Sequence, residues 1–170
     1  LTGHLRHATL RPGFSLAQPL QILRLLAQSM DGLCLEEIEE LLAGQGLAFP
    51  PGYMEQLFSY LYDSFGSSEQ GTWNFKHRIL RESLLGQMKP EELAQGWRLL
   101  LEYYESKGTR ERECLYYAWM LRDAKEAAYS LCRAAQKAPV ETASRLIAPV
   151  LTQMLAREDG QAYFAELLEC

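Results

Sequence analysis

The sequence predicts a mainly α fold carrying one small β-hairpin, and three observations lead there. Leu, Ala, Glu and Gln dominate while Val and Ile are scarce, which favours helix over sheet. Apolar residues recur at helical spacing along most of the 170 residues. One aromatic run, Thr72 to Phe75, follows the turn-forming loop Gly66-Ser67-Ser68-Glu69-Gln70-Gly71 and reads as a strand.

Residues 1–17 carry His4, Arg6, His7, Arg11 and Pro12-Gly13, and read as a connector from an upstream domain. From Pro19, a residue suited to a first helical turn, Leu20, Leu23, Leu26 and Ala27 mark a helix that Ser29 to Gly32 ends. A second helix runs over 35–43, with Leu35, Ile38, Leu41 and Leu42 on one face and Glu36, Glu37, Glu39 and Glu40 on the other; Gly44 and Gly46 stop it. Phe49-Pro50-Pro51-Gly52 turns the chain into a third helix, where Tyr53, Leu57, Tyr60 and Leu61 share a face. The hairpin pairs Tyr62–Phe65 with Thr72–Phe75. Three short helices and then a two-stranded wing is the winged-helix order, so residues 18–88 are expected to form a winged-helix domain.

Beyond it the pattern is helical: 77–87, 91–106 (with Leu93, Trp97, Leu100, Leu101 and Tyr104 inward), 110–122, 124–136, 140–157 and 160–169. Pro90, Gly108, Pro139 and Gly160 punctuate these segments. The connections are short, so residues 89–170 are expected to form an antiparallel helical bundle or helix-hairpin array. No period of about 34 residues recurs, so tetratricopeptide repeats are not inferred.

Composition narrows the function classes. Net charge is −5, from 17 basic and 22 acidic residues, without the basic stripe of a duplex binder. The third helix, which enters the major groove in winged readers, has no Lys or Arg and carries Glu55 and Asp63; the wing loop adds Glu69. Cys34, Cys114, Cys132 and Cys170 are widely spaced and read as thiols rather than disulfides. No apolar run approaches the roughly 18 residues that would cross a bilayer. With no secretory pattern, a cytoplasmic protein without membrane or nucleic-acid partners is expected, and its Leu1 start reads as a piece of a longer chain.

Enzyme signals are missing. The phosphate-loop pattern, G-x-G-x-x-G, His-Glu-x-x-His and Gly-x-Ser-x-Gly are all absent. The histidines are His4, His7 and His77; the first two sit on the expected connector and make a poor metal site. No catalytic residue and no metal site are expected, and the fragment is expected not to be an enzyme.

What remains is the corner at 75–81. His77 stands between strand and helix, with Lys76, Arg78 and Arg81 forming a cationic cluster in an acidic chain. A helix N-terminus adds partial positive charge. His77, Arg78 and Arg81 are therefore candidates to contact an anion, such as a diphosphate presented by another domain. The structural alternative is that His77 caps the helix and the arginines pair with Glu82 or other acids.

The wing ending in Phe75-x-His77, the helix with Arg78-x-x-x-Glu82 and the long helix opening at Pro90-Glu91-Glu92 resemble signal-transduction ATPases with numerous domains, the NACHT and NB-ARC type regulators. Glu113 to Ala128 resembles the helical arm that follows the winged helix there. The resemblance covers roughly residues 18–135. It implies that His77 touches the β-phosphate of ADP and holds a closed, inactive form. The family's usual Met before and Asp after that histidine are Lys76 and Arg78 here. The fragment is thus expected to be a non-catalytic regulatory piece. Its winged helix would close over ADP bound by an upstream nucleotide-binding domain of the same chain, with ADP or ATP and Mg belonging to the parent protein. Protein partners are also expected. The alternatives are a helical interaction scaffold, using a groove around Tyr103, Tyr104, Tyr116, Tyr117 and Trp119, and a DNA-binding winged-helix regulator.

Overall fold

The computed structural model describes residues 17–61, 63–68 and 71–137, together with Thr152 and Ala156. The expected connector 1–17, except its last residue, and the expected helices 140–157 and 160–169 therefore lie outside the described residues, apart from those two isolated positions. Within them the chain is mainly helical with one hairpin: α1 (Ala17–Gln28), α2 (Leu35–Ala43), α3 (Tyr53–Tyr60), β1 (Phe65–Ser67), β2 (Trp73–Phe75), α4 (Arg78–Leu85), α5 (Pro90–Lys107), α6 (Glu111–Leu121) and α7 (Ala124–Lys137). The chain divides into two compact units, Leu1–Gly96 and Trp97–Cys170, with the division inside α5. Among the described residues no helix is long and apolar enough to cross a membrane.

In the first unit, α1 packs against α4 and β2, and α4 also meets β2. The stripe read from the sequence is the core: Leu23, Leu26, Ile38, Leu41 and Leu42 are buried, joined by Ile22 and Leu33. Of the four glutamates assigned to solvent, Glu37 is half-exposed and turns back to the start of its own helix. Its carboxylate accepts the backbone N–H of Cys34 at 2.9 Å, satisfying a donor at the start of α2. On α3 the expected face needs correction, because Tyr60 is 58% exposed while Met54 and Phe58 are buried. The buried arc is centred on Leu57 and Leu61, and Tyr60 falls just beyond its edge.

The hairpin is antiparallel, with register Phe65↔Phe75, Gly66↔Asn74 and Ser67↔Trp73. Its first strand therefore starts where the sequence reading ended it. The Ser64 and Phe65 amides both donate to the Leu61 carbonyl, at 2.8 and 3.1 Å, so the backbone leaving α3 is still turning. Aromatic packing fixes the ribbon: Phe58 stacks on Trp73 at 4.4 Å, and Phe65 meets Phe75 at 4.4 Å. A third extended piece joins it. Leu33 bridges Trp73, with Trp73 N–H donating to the Leu33 carbonyl at 2.7 Å and Leu33 N–H to the Trp73 carbonyl at 3.1 Å.

In the second unit, α6 and α7 pack as a helical hairpin across the turn at Arg122–Asp123. Tyr104 and Tyr117 are buried and stacked 6.1 Å apart, and the Arg110 guanidinium lies over the Tyr104 ring at 5.1 Å. Among the described residues Cys34, Cys114 and Cys132 are not joined in disulfides. Arg133 on α7 reaches Glu105 on α5 at 3.3 Å and Glu126, about two turns back along α7, at 3.8 Å.

Burial pushes the Glu126 carboxyl up from 4.5 to about 7. The hydrogen bond and charge of Glu105 push the same way, with a small addition from Asp123, against the pull of Arg133. The folded protein thus binds this proton more tightly than the unfolded chain. Its contribution to stability is full below pH 4.5 and is lost as pH rises to about 7. Glu126→Gln removes that dependence. It is expected to flatten the fall in Tm between pH 4.5 and 7, and to raise stability at pH 8 by up to about 1 kcal/mol after solvent screening is allowed for. Parallel thermal melts of both proteins across that range check this; identical pH profiles would refute it.

Candidate functional site

The corner is built by the end of the ribbon and the start of α4. Lys76 N–H makes the ribbon's last bond, to the Ser64 carbonyl at 2.9 Å. His77 then stays extended, at φ −117° and ψ 114°, and serves as the N-cap of α4. Its carbonyl accepts the Leu80 N–H at 3.1 Å and the Arg81 N–H at 3.4 Å, which starts the helix. Its side chain makes no capping hydrogen bond, and the residue is exposed. The ring is therefore not committed to the cap that the structural alternative assigned to it.

The two arginines differ. Arg78 is exposed, with its side chain at 87% of full accessibility, and ion-pairs with Glu82 one turn on. That pairing is the one the structural alternative anticipated, and in solvent it contributes little to stability. Arg81 is half-buried, and its partner is not an acid. Its Nε donates to the Ala27 carbonyl at 2.8 Å and its Nη2 to the Ser29 carbonyl at 2.8 Å. These carbonyls lie at the C-terminal end of α1, where unpaired acceptors and the negative end of the helix dipole favour a cation.

Electrostatically the corner is positive for local reasons. The first turn of α4 carries no acidic residue, and Lys76, His77 and Arg78 follow one another in exposed positions. Ile79 extends this surface at 79% exposure. An exposed imidazole on such a corner can donate a hydrogen bond to an anion. Among the described residues no group of three or more His, Cys, Asp or Glu is placed to hold a metal ion.

The five aromatics named for the scaffold alternative differ in burial. Tyr104 and Tyr117 are core residues, while Tyr103, Tyr116 and Trp119 are half-buried. Sequence reasoning missed the Leu33–Trp73 bridge and the backbone role of the Arg81 side chain. A one-residue bridge has no periodicity, and an arginine bonded to carbonyls has no partner in the charge pattern. The chain matches no protein-family model, no curated protein and no solved structure.

Proposed function

We propose that this chain is a non-catalytic regulatory module of a nucleotide-switch signalling ATPase. Its first unit acts as a winged helix that closes over ADP bound by a nucleotide-binding core preceding it in the same polypeptide. The observation that carries this reading is the exposed imidazole of His77 at the ribbon-to-helix corner, its side chain uncommitted to the cap. Supporting it, the order helix, isolated bridge at Leu33, two helices and a hairpin is compatible with the winged-helix plan, with Leu33 standing where that plan has a strand. The lack of Lys and Arg on α3 speaks against a DNA reader. The burial of Tyr104 and Tyr117 speaks against the aromatic groove.

The physics of such a switch is differential affinity. A ligand held by one domain favours closure by whatever extra bond the second domain adds in the closed form. A hydrogen bond to a charged group contributes about 1.5–3 kcal/mol, roughly a ten- to hundredfold bias. In the parent protein, His77→Ala is expected to speed ADP release by about that factor, read by the loss of a fluorescent ADP analogue. Release at the wild-type rate would remove the sensor role from His77.

A further inference from the structure

The corner that carries His77 is pinned from both sides to one segment, the end of α1 and the connector that leads to α2. Upstream, Trp73 is held by the paired bonds to Leu33, at 2.7 and 3.1 Å. Downstream, Arg81 is held by its two bonds to the Ala27 and Ser29 carbonyls, both 2.8 Å. Trp73 and Arg81 each lie four residues from His77, one before it and one after. Arg81 also closes the chain of contacts, because its own N–H reaches the His77 carbonyl at 3.4 Å.

We infer that Arg81 is a positioning residue for His77, fixing the imidazole-bearing corner to the end of α1 rather than reaching a ligand itself. This rests on the proposed role of His77. Arg81 spends two donors on one edge of its planar guanidinium, matched to two carbonyls two residues apart. A lysine is a point donor on a flexible stem and cannot span both acceptors in that geometry. The same segment also holds the neighbouring elements. Gln28 Nε2 donates to the Leu93 carbonyl at 2.7 Å, and Ser29 Oγ to the Leu26 carbonyl at 2.8 Å. The orientation of His77 is therefore set by the same few residues that organise the first unit.

Two measurements test this. In the chain itself, backbone ¹⁵N order parameters at His77 and Arg78 should fall from the rigid range near 0.85 to below about 0.6 in Arg81→Gln. Those of Ile38, Leu41 and Leu42 on α2 should stay unchanged. Arg81→Lys should not restore order at the corner. Order retained in either variant, or rescue by lysine, would overturn the assignment. In the parent protein, ADP release from Arg81→Gln should be faster than wild type, and the double variant with His77→Ala no faster than His77→Ala alone. Additive effects would mean that Arg81 meets the phosphate directly, and would also overturn it. If His77→Ala leaves release unchanged while the corner still loosens in Arg81→Gln, the nucleotide reading falls and the positioning role stands.

Discussion

Gly32→Ala is expected to cost about 2–5 kcal/mol, a large part of the 5–15 kcal/mol by which a domain of this kind is stable. Two separate effects add at this position. The backbone sits at φ +83°, in the left-handed region, where a Cβ costs roughly 1–2 kcal/mol. A methyl there would also overlap the Trp73 carbonyl oxygen, while lying 3.1 Å from the carbonyl carbon and 3.3 Å from Asn74 Cβ. The obstacle is backbone, so no rotamer change relieves it. Either the ribbon moves or the Leu33–Trp73 pair breaks, losing two hydrogen bonds of about 0.5–1.5 kcal/mol each. Gly46 separates the two effects, because it has φ +76° with nothing within 4 Å of an added Cβ. Gly46→Ala should cost only about 1 kcal/mol. Urea denaturation of the three proteins decides the matter: equal losses for the two variants would show that the contact with Trp73 contributes nothing.

That prediction also marks the boundary of what the sequence could disclose. Gly32 reads as part of a helix stop, but it lies four residues past the end of α1, and its duty is to let Trp73 approach. Local patterns gave what depends on local physics. The apolar spacing of Leu35, Ile38, Leu41 and Leu42 located α2 to the residue, because one buried face against a charged one has few other solutions. The start of β1 was misplaced because Asp63 and Ser64 occupy a turn set by bonds back to α3, which alternation cannot reveal. At the corner, the position and exposure of His77 follow from a strand running straight into a helix. The arginines were harder to read. Arg78 and Glu82 are neighbours at i, i+4 and are visible as such, whereas the partners of Arg81 lie 52 and 54 residues away and are main-chain atoms. Every non-proline residue carries such atoms, so the sequence offers nothing to single these out.

Gly96 brings the same problem to the interior of a helix, and its substitution is expected to change sign with its background. Glycine in the middle of α5 costs about 1 kcal/mol relative to alanine, so Gly96→Ala would stabilise the protein if the site were open. It is not open. A Cβ at 96 would stand 2.5 Å from both Cδ and Nε2 of Gln28, which is 3% exposed and bonded to the Leu93 carbonyl at 2.7 Å. Gln28 must then leave its acceptor or force α5 outward, and overpacking of this kind costs about 1–3 kcal/mol. Gly96→Ala alone should therefore destabilise by up to about 2 kcal/mol, the packing cost less the helix gain. With Gln28→Ala the obstacle is gone, and adding Gly96→Ala should recover up to about 1 kcal/mol. The interaction energy of this double-mutant cycle should be about 1–3 kcal/mol, above the few tenths seen for independent sites. Additive behaviour would show that Gln28 moves aside freely, and that the glycine owes its place in α5 to something other than the end of α1.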